Sequence, residues 1–169
     1  MNKIELKLQQ LQSVNGWISL SDTKAFALLG AQGLFFAFII SAVVSDGFYK
    51  YVASCWPLII LACALLLNGA SVVFSFMAVN PRLKLKGGPS PFYFGSVAES
   101  FKDSKGFSVF CADRLKTEDA VAFELDGQIY VNSTIAWKKF KAVAYAIRFL
   151  VGSLAFWGLF VVLVIGGNV

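Results

Sequence analysis

Three apolar runs, residues 25–44, 51–79 and 142–165, restrict what this chain can fold into more than any other feature. An α-helix rises about 1.5 Å per residue, so about 20 apolar residues cross the hydrocarbon core of a bilayer, and each run reaches that length. In lipid every backbone N–H and C=O must be satisfied within the protein, and none of the runs alternates as a barrel strand would. The chain is therefore read as an all-α integral membrane protein with three transmembrane helices.

Hydrophobic residues make up 57% of the 169 and charged residues 15%, against roughly 45–50% and about 25% in soluble domains. The excess is lipid-facing surface. The roughly 60 residues between the second and third runs are marginal for a core of their own, so they lean on the spans or on neighbouring subunits. The expected organisation is an N-terminal amphipathic helix over 1–21 and the first two transmembrane helices within 22–79. A small helical cytoplasmic insert over 80–141 then precedes a long third helix and an external C-terminus over 142–169.

The net charge of +5 is unevenly placed. Lys3, Lys7 and Lys24 precede the first span, and Arg82, Lys84, Lys86, Lys102, Lys105, Arg114, Lys116, Lys138, Lys139 and Lys141 lie between the second and third. Only Lys50 falls in the first connection and nothing basic follows Ile165. The positive-inside rule puts the N-terminus and insert in the cytoplasm and the C-terminus outside. The basic balance is a topology signal and an attraction to anionic lipid, with no nucleic acid partner expected. Cys55, Cys63 and Cys111 offer no pair in an oxidising compartment, so no disulfide framework is expected. The first run follows an amphipathic segment without a small-residue cleavage site and reads as a retained helix.

Ile4, Leu8, Leu11 and Ile18 recur at helical spacing opposite Gln9, Gln10, Gln12 and Asn15, an amphipathic pattern that can lie on the inner leaflet or pack on a partner's helix. Ser19 or Ser21 can cap the first span, with Asp22 in its opening turn. Gly33, Ala37 and Ser41 leave a groove for close helix approach. Asp46 and Gly47 turn the chain, Pro57 opens the second span and Asn80-Pro81 closes it. The breaker cluster Lys86-Gly87-Gly88-Pro89-Ser90-Pro91 leads into the insert. There, residues 92–101 and 118–140 permit helix, with Gly106 and the Asp113 region as interruptions. With no breaker after Gly127, one helix should run from about Thr117 through Ile165.

Histidine is absent, which removes the commonest general base and zinc ligand. There is no P-loop, dinucleotide fingerprint or serine elbow, and the insert's carboxylates interleave with lysines as a solvated face would. No enzyme activity, cofactor or metal is expected. Inside the spans Gln32, Asn68, Ser71 and Ser75 can hydrogen-bond between helices or line a pore, and Arg148 can snorkel to the inner headgroups. The glycines after Arg82, Lys84 and Lys86 could cradle a phosphate, although such basic residues commonly meet lipid phosphates. Phe92-Tyr93-Phe94 could stack on a nucleobase or form an interfacial belt.

Two segments of the insert are recognisable together. Pro91-Phe92-Tyr93-Phe94-Gly95-Ser96-Val97-Ala98, after Asn80-Pro81-Arg82, resembles the aromatic-glycine motif of the Pycsar transmembrane effector family. The run from Asp126-Gly127-Gln128-Ile129-Tyr130-Val131-Asn132 to Trp137-Lys138-Lys139-Phe140 is similar to that family's motif before its final span, and Ser21-Asp22-Thr23-Lys24-Ala25 matches at the start of the first. The resemblance implies a bacterial antiphage effector of the inner membrane that answers a cyclic pyrimidine mononucleotide, cCMP or cUMP, by damaging that membrane.

A charged ligand cannot enter lipid, so it must be read in the insert, where cations and aromatics are available. The expected ligand contacts are Arg82, Tyr93, Asn132 and Lys138. The motifs supply three of them, and Arg82 is added on charge and proximity. Gln32, Gly33, Ala37, Ser41 and Asn68 are the expected helix-packing or pore residues of a homo-oligomer in the lipid bilayer. The rival readings are a ligand-independent holin-like pore and a membrane scaffold subunit.

Overall fold

The computed structural model describes residues 2–44, 55–80 and 89–166. Five helices follow in chain order: α1, Lys3–Val44; α2, Cys55–Val79; α3, Phe94–Ser100; α4, Ser104–Arg114; and α5, Glu118–Gly166. The first, second and fifth are long and apolar enough to cross a membrane, while α3 and α4 form the short insert between them. The expected all-α, three-span class holds. The turn at Asp46 and Gly47, Lys50, and Pro81, Arg82, Lys84, Lys86, Gly87 and Gly88 lie outside the described residues.

Helix boundaries depart from the sequence expectation in two places. Ser19, Ser21 and Asp22 cap nothing, because α1 runs through them without a break. Nothing in that stretch stops a helix: the flanking Gly16 and Gly30 are isolated and proline is absent. Gly106 and Asp113 do not interrupt either; both lie within α4. The Asp103 carboxylate accepts the Gly106 N–H at 2.7 Å, so the glycine sits in a capped first turn, and Asp113 pairs with Lys116 at 2.6 Å near the helix end. The breaks fall instead at 101–103 and 115–117.

The chain divides into two compact units: Met1–Leu20 with Asn80–Lys138, and Ser21–Val79 with Lys139–Val169. In the first, the N-terminal stretch of α1 lies along the opening half of α5 of the same chain. Lys3 pairs with Asp119 at 2.9 Å, Lys7 with Asp126, and Asn132 Nδ2 donates to Asn15 Oδ1 at 2.7 Å. Sequence separations of 116, 119 and 117 across these pairs mean the two helices run parallel and in step. Glu118 and Asp119 occupy the first turn of α5, where carboxylates suit the positive end of the helix dipole.

In the second unit, Ala25, Ala78, Ala142 and Val143 form the tightest contact. Small side chains let spanning helices approach closely, which matters because lipid provides no hydrophobic drive for association. Ser71 Oγ donates to the Ala146 carbonyl and Ser153 Oγ to the Ala64 carbonyl, each at 2.7 Å, so α2 descends against a rising α5. Phe74 stacks on Phe149 at 5.4 Å, and Phe35 meets Trp157 edge-on at 5.7 Å. Outward-facing Leu34, Phe38, Leu66 and Val162 present the apolar surface that a bilayer would cover.

Candidate functional site

In the first unit the aromatic-glycine segment and α5 are joined by a chain of hydrogen bonds. Ser90 Oγ donates to Gln128 Oε1 at 3.2 Å, Gln128 Nε2 to Asn132 Oδ1 at 2.8 Å, and Asn132 continues to Asn15. At the other end the Ser90 N–H donates to Ser96 Oγ at 2.8 Å. Gln128 and Ser96 are both buried, so these bonds replace water that the groups have lost. Asn132 holds α1 and α5 together with the amide that the sequence assigned to a ligand, accepting once at Oδ1 and donating once from Nδ2, which leaves one lone pair and one N–H of the amide.

Tyr93 stands at the N-cap of α3 without a side-chain cap of its own. Its ring folds back over Gly95, where a Cβ would lie 2.7 Å from Tyr93 Cε1, and it tilts against Phe94 at 5.1 Å. A side chain at position 95 would have to turn that ring aside. Asn132 belongs to the network that reaches the Ser90 segment, while Tyr93, three residues beyond Ser90, accepts the Val97 N–H at its backbone carbonyl at 3.0 Å. Lys138 is exposed and six residues beyond Asn132 on α5, so it is not brought to that network. Arg82 lies outside the described residues.

Cations in this unit are partly committed to carboxylates. Lys3 and Lys7 hold Asp119 and Asp126, and Arg114 holds Glu124 at 2.8 Å. The Lys3–Asp119 hydrogen bond lowers the Asp119 carboxyl below its ordinary value and raises the Lys3 ammonium above its own, while Lys116 lowers Asp113. Lys102, Lys105 and Lys138 are exposed and form no ion pair among the described residues. These three remain available to an anion.

A separate groove of about 490 Å³ is lined by Leu6, Gln9, Gln10, Ser13, Val14, Trp17 and Ile129. Tyr93, Asn132 and Lys138 do not line it. Its walls are apolar or neutral, so it is suited to a ring and not to a phosphate.

In the spanning unit a polar seam runs between the helices. Gln32 Nε2 donates to Ser71 Oγ at 2.5 Å and to Ser75 Oγ at 3.3 Å, and the Ser71 hydroxyl donates in turn to the Ala146 carbonyl. Gln32, Asn68, Ser71, Ser75 and Ser153 are all buried. Gln32 Oε1 and both amide atoms of Asn68 have no hydrogen-bond partner among the described residues. Gly33, Ala37 and Ser41 lie on an exposed face of α1, and a Cβ at Gly33 would meet nothing within 4 Å, so no described helix of this chain fills that groove. Arg148 is exposed, its guanidinium over the Tyr145 ring at 5.6 Å.

One pair escaped the sequence reading. Lys139, counted there only as a topology charge, is 4% exposed and ion-paired to Asp22, while Lys24 lies over the Phe140 ring at 5.6 Å. The available signal was a single acid at the start of one span and a base at the start of another.

A family model described as the Pycsar effector protein domain matches residues 7–166. No curated protein and no solved structure matches the chain.

Proposed function

The chain belongs to the Pycsar effector family, and from that premise, an antiphage membrane effector, we propose a ligand-gated mechanism. The insert binds a cyclic pyrimidine mononucleotide, cCMP or cUMP, on the cytoplasmic side. The spanning helices of a homo-oligomer then rearrange and permeabilise the bacterial inner membrane, with no covalent chemistry. The N-terminus and insert face the cytoplasm and the C-terminus the outside, following the excess of lysine and arginine in those segments.

The observation that carries this reading is the buried polar seam between the spanning helices. A buried polar group without a partner costs about 1–3 kcal/mol, so an arrangement that gives Gln32 Oε1 and the Asn68 amide a partner, in another subunit or in water, is favoured by that interaction. Moving an equilibrium from 1:99 to 99:1 takes about 5.5 kcal/mol of differential binding. The nucleotide has to supply that difference by binding the rearranged bundle more tightly than the resting one. Tyr93, Asn132 and Lys138 carry the family's motifs and supply a ring, an amide and a cation for base and phosphate.

Full-length protein in dye-loaded liposomes tests the proposal. Dye should escape on addition of cCMP or cUMP and stay trapped without them. Release indifferent to nucleotide would instead point to a constitutive pore, and no release under either nucleotide to a scaffold.

A further inference from the structure

On α5, Phe123, Tyr130 and Trp137 recur every seventh residue and are 74%, 74% and 63% exposed. A straight helix drifts only about 20° per heptad, so the three rings form one ridge. The ridge faces away from the stripe that α5 buries, at Ala122, Leu125, Gln128 and Ala136. It belongs to the unit that carries Lys3, Asp119, Lys116 and Asp113 as water-exposed ion pairs. Tyr130 precedes the apolar run at residue 142 by about 18 Å of helix, beyond the reach of a headgroup belt.

We propose that this ridge seats in the groove of a second copy of the same chain, lined by Leu6, Gln9, Gln10, Ser13 and Trp17. Helices α1 and α5 run parallel with a separation of 116–119 residues, so Leu6 and Ser13 stand level with Phe123 and Tyr130. Copies anchored in one bilayer by the same spans share one polarity. Rotation about an axis along the helices therefore presents ridge to groove at equal height. The groove, about 490 Å³, accommodates aromatic rings, and its Gln9, Gln10 and Ser13 offer the Tyr130 hydroxyl a partner. Ridge and groove are different patches, so the contact is heterologous and repeats around a closed ring.

Fully buried aromatics remove 150–250 Å² each, so this ridge offers roughly 300–550 Å² per copy. A stable complex uses about 800 Å² per partner. The contact is weak alone and forms at the high local concentration of a membrane. This inference deepens the proposed oligomeric effector by naming its interface.

Cysteine crosslinking of full-length protein reconstituted in liposomes tests it, in a chain whose Cys55, Cys63 and Cys111 are replaced by serine. Ser13→Cys and Tyr130→Cys proteins are oxidised separately and mixed, with and without cCMP or cUMP. A crosslinked dimer should form in the mixture and in neither protein alone. No dimer in the mixture under any condition overturns the contact, and a dimer from Tyr130→Cys alone overturns it in favour of a two-fold pair. A mixed dimer with or without nucleotide supports the interface, and dye release from the same liposomes tests the ligand reading separately. As a second measurement, Phe123→Ser with Tyr130→Ser should lose oligomers in micelles with its melting temperature unchanged; retained oligomers would refute the ridge.

Discussion

Replacing Asp22 with asparagine should destabilise the spanning unit out of proportion to the size of the change. The Lys139 side chain is 5% exposed and Asp22 31%. Removing the acid therefore strands a nearly buried ammonium group, a class of change that costs about 3–5 kcal/mol. Because the Asp22 side chain is partly exposed, solvent screening brings the cost below that range, to about 2–3 kcal/mol. Pairing Asp22→Asn with Lys139→Met removes the stranded charge as well, and replacing a whole ion pair by apolar volume is close to neutral. At about 2–4 °C per kcal/mol for a chain of this size, full-length protein in micelles should melt about 5–10 °C lower in the single variant. The double variant should recover most of that loss. If the single variant melts with the parent, or the two losses simply add, the pair is not coupled and its burial has been misjudged.

Asn68→Leu should stabilise the closed bundle by about 1–3 kcal/mol and suppress nucleotide-triggered dye release while leaving nucleotide binding unchanged; undiminished release would show that the seam plays no part. Gly95→Ala should turn the Tyr93 ring aside and weaken cCMP or cUMP binding several-fold at constant helical content by circular dichroism, since the new Cβ would lie 2.7 Å from Cε1. The Asp119 carboxyl sits below its ordinary 3.8 because of Lys3, so the pair's contribution is full above that value and fades as pH falls through the lowered one. The melting difference between the parent and Asp119→Asn should accordingly be flat from pH 5 to 8 and shrink towards pH 3. A difference that grew on acidification would reverse the assigned sign.

Span number, span position and the length of α5 were legible because lipid leaves a 20-residue apolar run few alternatives. The fate of residues 3–20 was not: an amphipathic stripe records that one face is covered, without saying by what. Parallel pairing with α5 depends on contacts more than 100 residues away, such as Asn15 with Asn132. Gly106 misled because glycine breaks a helix interior but is tolerated in a first turn, and the cap at Asp103 places it there. Gln32 and Asn68 were correctly singled out as polar residues in lipid. That Asn68 lacks a partner among the described residues could come only from three-dimensional packing. Of the expected ligand contacts, Asn132 lies in a hydrogen-bonded network, and nothing in the sequence spacing revealed that Ser90 and Gln128 join it.

The account turns on whether a nucleotide opens the buried seam to water, and water access at residue 68 reads this directly. Asn68→Cys, in a chain with its native cysteines replaced by serine, should resist a membrane-impermeant maleimide in liposomes and become labelled once cCMP or cUMP is added. Labelling at one rate with and without nucleotide would contradict the gated seam.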